Sequence, residues 1–403
     1  MICVVGLGYI GLPTAIMLAA SGNDVVGYDI DKDRVKALNE KKLLLDENEF
    51  EEEFHLAYDK GIKFVEELPT TDLYIVSVPT PYNHESMKVD PKILIDAVKN
   101  VLGVCRKNSI LVIESTISPG TIDTYIRPLL GNNENEVSLV HAPERIIPGN
   151  MIYELKNNNR TIGADNEKIG EYVKNIYSTF CKGEIVLTDI RTAEMTKVIE
   201  NTYRAVNIAF ANELAKLCYK HGMNVNEIID ICNKHPRVNI LSPGPGVGGH
   251  CIAVDPRFLI GDYPRDTDLI RTAMEINDSM PEFVLERISE IMKKNNISDI
   301  GKVGLYGLSY KENIDDPRQS PTLQLLDFQN KHLGKAIKVY DPYIKRTIVE
   351  NQYHDIDKFL EGIELVVIMV EHKELLEISE KLKNKIVFST KGAYKEIYDY
   401  MMF

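Results

Sequence analysis

Short β-branched runs alternate with helical patterns at both ends of the 403-residue chain, and about thirty residues free of glycine and proline lie between them. Together these observations predict an α/β protein with two Rossmann-like parallel-sheet domains, joined by a long central helix and a helical middle region. Strands separated by crossover helices pair in parallel, which is why the alternation matters. With 44% apolar and 27% charged positions, the chain can bury a core in each domain.

In the first half, residues 1–5, 24–28, 73–78, 110–114 and 137–141 read as buried strands, with helices at 13–20 and 91–105. Residues 47–60 are acidic on one face and are expected to form a solvated helix or loop. Thr188 or Asp189 can cap the long helix and Gly222 can end it. Ala193, Ala205, Ala209, Ala211 and Ala215 permit close helix approach, so a bridging helix at a subunit interface is expected, with a plain core helix as the competing reading. Helices at 268–278 and 281–295 come next. A second alternating unit then has strands at 302–307, 336–340, 363–370 and 385–388, and a helix at 321–333. The expected domains are 1–187, 188–298 and 299–403.

Lys plus Arg is 47 and Asp plus Glu is 60, a formal net charge of −13, which disfavours a nucleic-acid partner because phosphate neutralisation needs a basic surface. No apolar run approaches the roughly 20 residues of a membrane span, so no membrane partner is expected. Cys3, Cys105, Cys181, Cys218, Cys232 and Cys251 show no paired spacing. That pattern suits a reduced, cytoplasmic protein with no disulfide framework and no metal cluster.

Gly6-Leu-Gly8-Tyr-Ile-Gly11 comes directly after a strand and opens a helix, the context a GxGxxG needs to cradle a dinucleotide. Gly6 allows the tight turn, Gly8 lets backbone approach a pyrophosphate, and Gly11 allows helix–strand packing. The helix N-terminus offers N–H groups to phosphates. Asp29 ends the second strand, where a carboxylate accepts from ribose hydroxyls and repels a 2′-phosphate. NAD is therefore favoured over NADP, although Lys32 and Arg34 stand nearby. In the second unit the third glycine is absent and bulky Tyr306 and Leu308 occupy the turn, which predicts a poorer dinucleotide cradle suited to another nucleotide-bearing ligand.

Cys251 ends a Gly/Pro-rich loop, Pro243-Gly-Pro-Gly-Val-Gly-Gly-His-Cys251, whose glycines allow backbone to approach a ligand. A cysteine there is a candidate nucleophile if exposed. Asp255, four residues on, reads either as a group that orients water or as a turn carboxylate. Lys197 and Asn201 share one helix face and can stabilise an oxyanion, while Glu194, three residues before Lys197, offers a surface ion pair instead. Thr116 and Glu144 lie just past strand ends, where active-site groups occur in this architecture.

At these residues the chain resembles the UDP-glucose/GDP-mannose dehydrogenase family. The resemblance covers nearly the whole length. It is carried by the glycine turn, Val78-Pro-Thr-Pro81, Glu114-Ser-Thr116, Pro143-Glu144, Glu194 with Lys197 and Asn201, the Cys251 loop, and Tyr310-Lys311 through Arg318-Gln-Ser-Pro321. Within the family, the Cys251 loop and His235-Pro-Arg-Val-Asn-Ile-Leu241 are similar to the branch acting on UDP-N-acetylmannosamine. Arg257 departs from a commonly aromatic position.

The resemblance implies a four-electron, NAD-dependent oxidation of a UDP-sugar at C6, on UDP-N-acetyl-D-mannosamine or alternatively on UDP-N-acetylglucosamine or UDP-glucose. It implies Cys251 as the nucleophile that forms a thiohemiacetal and then a thioester. Lys197 and Asn201 would stabilise oxyanions, and Asp255, Glu144 and Thr116 would handle water and protons. It further implies NAD contacts at Gly8, Tyr9, Ile10, Gly11, Asp29, Arg34, Thr80, Thr116 and Arg318. Substrate contacts would come from Glu144, Arg145, Lys197, Asn201, Arg237, Gly248, Tyr310 and Lys311, with Arg237 contributed by a neighbouring subunit. A homodimer or homotetramer is the implied assembly. His250 would support the Cys251 thiolate or shape its loop.

Overall fold

The computed structural model describes residues 1–45, 49–133, 137–146, 149–249, 251–333, 337–392, 394 and 397–402. His250, together with residues 47, 48 and 336 of the expected elements, lies outside the described residues. The chain divides into two compact units, Met1–Glu200 and Asn201–Phe403.

The first unit is built on an eight-stranded sheet of β1 (Ile2–Val5), β2 (Val25–Tyr28), β3 (Lys63–Val65), β4 (Leu73–Val76), β5 (Ser109–Ile113), β6 (Val137–His141), β7 (Arg160–Ala164) and β8 (Ile185–Thr188), in the order β3-β2-β1-β4-β5-β6-β7-β8. Its helices are α1 (Gly11–Ala20), α2 (Lys32–Asn39), α3 (Phe50–Asp59), α4 (Lys92–Val104), α5 (Met151–Asn157) and α6 (Glu167–Tyr177). The five anticipated strands occur at or within a residue or two of the expected positions. The sheet departs from a wholly parallel one at a single pairing, β6 with β7, which is antiparallel. Among the described residues only α5 separates those two strands, so the chain returns without a full crossover. Strands β3, β7 and β8 are short and carry Lys63, Arg160 and Glu184 at their edges, which hides them from an apolar-run search.

Residues 50–59 are not merely solvated. Phe50, Phe54 and Ala57 are buried in the same core as Leu12, Ile16 and Val35. Their spacing places them on one face of α3, opposite Glu51, Glu52 and Glu53. A second core on the other face of the sheet gathers Cys3, Val5, Tyr74, Leu94, Val98, Leu111 and Ile113.

Helix α7 (Ile190–Lys220) runs 31 residues without interruption. Asp189 caps it, accepting from the Thr192 amide at 2.9 Å, and Gly222 leaves it at φ 65°. The second unit then has α8 (Val225–Cys232), α9 (Asp255–Asp262), α10 (Asp268–Asp278), α11 (Met280–Lys294) and α12 (Pro321–Leu333). Its sheet comprises β9 (Val303–Tyr306), β10 (Lys338–Tyr340), β11 (Gln352–Tyr353), β12 (Leu365–Ile368), β13 (Ile386–Ser389) and β14 (Tyr400–Met401), all parallel in the order β11-β10-β9-β12-β13-β14. That order repeats the order of the first six strands of the first unit. Among the described residues no helix is long and apolar enough to cross a membrane.

Candidate active site

In the first unit the glycine turn joins β1 to α1. Gly11 is irreplaceable there, because a Cβ would stand 1.9 Å from the Gly6 carbonyl oxygen. Gly8 differs: a Cβ on it would meet nothing within 4 Å, so its backbone faces open space. Ile10 holds the N-cap position of α1 and supplies no capping side chain. Asp29, buried at the end of β2, accepts from the Leu7 amide at 2.7 Å, the Asp31 amide at 2.9 Å and Arg34 Nη1 at 3.1 Å. A carboxylate has roughly four acceptor positions, so one stays available. A cavity of about 390 Å³ opens beside this turn, lined by Gly8, Tyr9, Asp31, Arg34 and Ala37 among others.

These residues fit NAD: an open glycine for the diphosphate, a helix N-terminus facing it, and a carboxylate with acceptor capacity for a ribose. Arg34 is committed to Asp29 and to Asp31, 3.9 Å away, so it does not stand as a lone cation for a 2′-phosphate. The loops after β4 and β5 are pinned to each other. Ser115 Oγ accepts from the Val78 amide at 2.9 Å, and Thr80 donates to the Thr116 carbonyl at 2.6 Å, so Thr80 and Thr116 are brought together.

Glu144, just past β6, is buried. One oxygen accepts from the Arg145 amide at 2.7 Å and the other meets the buried Arg160 guanidinium. Arg145 is spread over Glu200 at 2.6 Å, the Asn159 carbonyl at 3.0 Å and Thr161 at 2.9 Å. Arg160 was missed by sequence reading. Its only signal is a charged residue opening a short apolar run after an asparagine-rich turn.

On α7, the surface ion pair between Glu194 and Lys197 does not form. Glu194 is buried, and its carboxylate accepts from the Gly120 amide at 2.5 Å and the Ile122 amide at 2.9 Å. Burial, only partly offset by those amides, pushes it up to about 7. Lys197 is itself buried and makes no ion pair among the described residues. One turn further, Asn201 belongs to the second unit and donates to Asp255 Oδ2 at 2.6 Å. Asp255 is buried as the first residue of α9, and Val254 holds the N-cap position. The carboxylate thus faces α7 and is not a capping group.

Cys251 lies in the turn leading into α9. All six cysteines are among the described residues, and Cys251 alone is exposed. Within the second unit it lies in electrostatic reach of Tyr310 and Arg318. Burial, with Asp316 and Cys251 adding to it, pushes the Tyr310 hydroxyl up to about 12. Arg318 is bonded to Asp316 through Nε at 2.9 Å and Nη2 at 2.6 Å, which raises its already high basicity.

Two glycines of the loop are required for packing inside the unit. A Cβ on Gly248 would stand 2.6 Å from Tyr310 Cβ, and one on Gly249 2.9 Å from its ring. The loop is therefore laid against Tyr310, and the Gly249 amide donates to the Arg318 carbonyl at 2.9 Å. Sequence reading also missed two asparagines on α7 that hold the approach to this loop. Asn207 accepts from the Leu241 amide at 3.0 Å, and Asn212 accepts from the Gly244 amide at 2.9 Å. The unusual Arg257 pairs with Asp278 at 2.7 Å on α10. Arg237 is exposed in the segment after α8, and Lys311 is partly buried beside Tyr310 in sequence.

The second glycine turn is closed by other groups than Tyr306 and Leu308, which are both fully buried in the core. Gly307 and Leu308 correspond to Gly6 and Leu7, and Ser309 to Gly8. Ser309 is fully buried, and Asp341 accepts from Leu308 at 2.6 Å, Ser309 at 2.9 Å, Tyr343 at 2.7 Å and Ile344 at 3.0 Å. His372 stands 3.3 Å from it as well.

Three models of one family match in succession. Residues 1–181 match the NAD binding domain, 191–279 the central domain and 304–396 the UDP binding domain of the UDP-glucose/GDP-mannose dehydrogenase family. The chain belongs to this family, and is an NAD-dependent dehydrogenase. It is 44% identical to a UDP-N-acetyl-D-mannosamine dehydrogenase of Methanocaldococcus jannaschii, over 97% of this chain and 92% of that one. Among solved structures it resembles a UDP-D-ManNAc dehydrogenase from Pyrococcus horikoshii, with TM-score 0.90 and 37% identity over 100% of this chain and 98% of that one. A UDP-N-acetyl-mannosamine dehydrogenase from Staphylococcus aureus matches with TM-score 0.87 and 38% identity, over 100% and 98% respectively.

Proposed function

We propose that the protein oxidises the C6 hydroxyl of UDP-N-acetyl-D-mannosamine to the carboxylate in two successive steps, with Cys251 as the covalent nucleophile. The observation that carries this reading is the exposed thiol of Cys251 at the mouth of α9, four residues before the buried Asp255 that Asn201 of α7 donates to. The identities to the relatives named above favour the mannosamine substrate over UDP-N-acetylglucosamine and UDP-glucose.

Bound NAD supplies the acceptor for one hydride in each step, two molecules per sugar. The chain's own groups do the rest. The Cys251 sulfur adds to the aldehyde carbon, and a proton is delivered to the oxygen, giving a thiohemiacetal. Loss of hydride and of the hydroxyl proton then gives a thioester. The Lys197 ammonium and Asn201 carboxamide stabilise the oxyanions, since donors aimed at developing charge contribute most when water is excluded. Glu144 accepts the proton of the water that cleaves the thioester, with Asp255 and Thr116 orienting that water. A covalent adduct keeps the aldehyde from escaping while the cofactor exchanges.

Gly8, Tyr9, Ile10, Gly11, Asp29, Arg34, Thr80, Thr116 and Arg318 serve NAD. Arg145, Gly248, Tyr310, Lys311 and Arg237, the last from a second copy, serve the UDP-sugar. The working segments are 1–187, 188–298 and 299–403, the middle one pairing copies into a cytoplasmic homodimer or homotetramer. Tyr203, Phe210 and Leu217 support that pairing: they are exposed, seven residues apart, and so form one apolar stripe on α7.

Two NADH per sugar with UDP-N-acetyl-D-mannosamine, and slower turnover of UDP-N-acetylglucosamine and UDP-glucose, is the expected outcome. Equal or faster oxidation of UDP-glucose overturns the substrate, and one NADH per sugar overturns the role of Cys251. Cys251→Ala is expected to lower acid formation by roughly 10³-fold or more while leaving NAD affinity unchanged by calorimetry.

A further inference from the structure

Beneath Glu144 lies a buried polar cluster that the reaction scheme above does not use. Arg160, at the start of β7, is 3% exposed, and its Nη2 meets Glu144 Oε2. Its guanidinium carbon sits 4.6 Å from the Tyr177 ring centre and 5.4 Å from that of Phe180. Its Nη1 stands 3.9 Å from Glu114 Oε1 and has no hydrogen-bond partner among the described residues. Glu114, at the end of β5, accepts from Tyr177 at 3.1 Å and from Thr14 of α1 at 3.0 and 3.1 Å.

One fixed guanidinium therefore faces two carboxyl groups. The arrangement needs only one of them charged, because burying a second anion without a partner is costly. Burial, opposed by Arg160, pushes Glu114 up to about 7, so it is the one that gives way. The other titratable groups that face this cluster do not compete for Arg160. Burial raises the Tyr177 hydroxyl well above its ordinary value, and Cys181 acts on Arg160 more weakly than Glu144, Tyr177 or Glu114 does. His141 is pushed down to about 3 by burial, donates Nδ1–H to the Ile113 carbonyl, and is neutral. Arg145 presents its amide to Glu144 and spends its guanidinium on Glu200, Asn159 and Thr161.

We propose that Arg160 is a positioning residue of the acid-forming step: it holds the Glu144 carboxyl group in place and aimed, with Tyr177, Phe180 and Glu114 fixing the guanidinium. The inference rests on the reading that Glu144 accepts a proton during thioester cleavage. In that step water adds its oxygen to the carbonyl carbon and gives one proton to the Glu144 carboxylate. The C–S bond then breaks with its electron pair on the Cys251 sulfur, leaving the free acid. Without Arg160, Glu144 Oε2 loses the guanidinium that fixes it, and the carboxyl group can turn away from the water it must meet.

The test is a double-mutant cycle of Arg160→Gln and Glu144→Gln, read with UDP-N-acetyl-D-mannosamine and NAD. Each single variant is expected to lose at least tenfold in kcat with KM within threefold, and to accumulate the sugar adduct on Cys251 by intact mass. The double variant, which leaves no unpaired buried charge, is expected to match Glu144→Gln alone. Losses that multiply in the double variant overturn the proposal, as does an Arg160→Gln variant that accumulates no adduct. Arg160→Lys supplies a second readout: keeping the charge without the planar fork, it is expected to recover part of the kcat lost in Arg160→Gln, with less adduct accumulating. An Arg160→Lys variant that recovers nothing at full burst amplitude overturns the proposal, since a merely structural arginine lowers the amount of active enzyme and not the rate per active site. Failure of the wild type to give two NADH per sugar would instead sink the underlying scheme, independently of these ratios.

Discussion

The two glycine turns share a scaffold and have opposite fates. Each leaves the first strand of a sheet whose first six strands run 3-2-1-4-5-6, and each hangs the leucine amide of the turn on the aspartate just after the second strand, at 2.7 Å for Asp29 and 2.6 Å for Asp341. Asp29 keeps an acceptor position and stands near an open glycine. Asp341 is saturated by four amides and His372, and a buried serine fills the place of that glycine. The same strand-turn geometry thus leaves an open turn with a free acceptor position in one unit and a sealed structural knot in the other. What separates them is not the number of glycines but whether the carboxylate's lone pairs are already taken.

Copying the second turn into the first breaks the comparison most severely. Gly8→Ser meets no steric obstacle in the protein, so folding is expected to be unchanged. A hydroxymethyl group where the diphosphate must approach is expected to lower kcat/KM for NAD on the order of 10²-fold. Unchanged kinetics would show that the open face of Gly8 is not where the cofactor lies.

Asp341→Asn should act on stability alone. Removing a buried carboxylate that accepts from four amides typically costs about 3 kcal/mol, so Tm should fall by several degrees while NAD affinity holds. Burial works against ionisation of Asp341, but His372 and the amides of Ser309 and Leu308 outweigh it and hold the carboxyl down at about 2. Its contribution is therefore complete above the ordinary value of 3.8 and lost as pH falls toward 2. Acid titration of Tm in both proteins checks this: the gap should close at the acid end.

Asp29→Ala is the converse. Losing charged hydrogen bonds to a ribose is expected to weaken NAD binding about 10- to 100-fold, read by calorimetry. Equal effects of the Asp29 and Asp341 substitutions on NAD binding would erase the distinction drawn between the turns.

The smallest effect concerns the slope of stability with pH. Glu114 is raised to about 7 from 4.5, so the folded chain holds a proton that the unfolded chain has released. Its contribution is full below the ordinary value and declines as pH rises through about 7. Glu114→Gln is expected to flatten that decline relative to wild type. His141 titrates alike in both proteins and cancels in the difference. A difference independent of pH would contradict the neutral state of Glu114.

Much of this was legible in the sequence. The strand–glycine–helix run from Ile2 to Ala20, the acidic end of β2 and the span of α7 arise from local periodicity and from residues with narrow conformational roles. The candidate thiol stood out from five others by its loop, and it is the exposed one of the six. Phe50, Phe54 and Ala57 show where reading failed: the acidic face of α3 masked an apolar face of only three residues. Arg160 failed for another reason. A charged residue beside a short strand carries no local sign of whether it ends in water or under an aromatic ring.

By itself, then, the sequence determined the two alternating α/β units and the glycine turn, and it singled out Cys251 as a candidate, because these depend on spacing within a few residues. Tertiary structure decided which carboxylates are free and which are spent. Glu194 went to the Gly120 and Ile122 amides, Glu144 to Arg160, and Glu114 to Thr14, whose bond spans 100 residues of chain. Partners that far apart meet only after the sheet has paired, and a carboxyl group's charge is set by what it meets there.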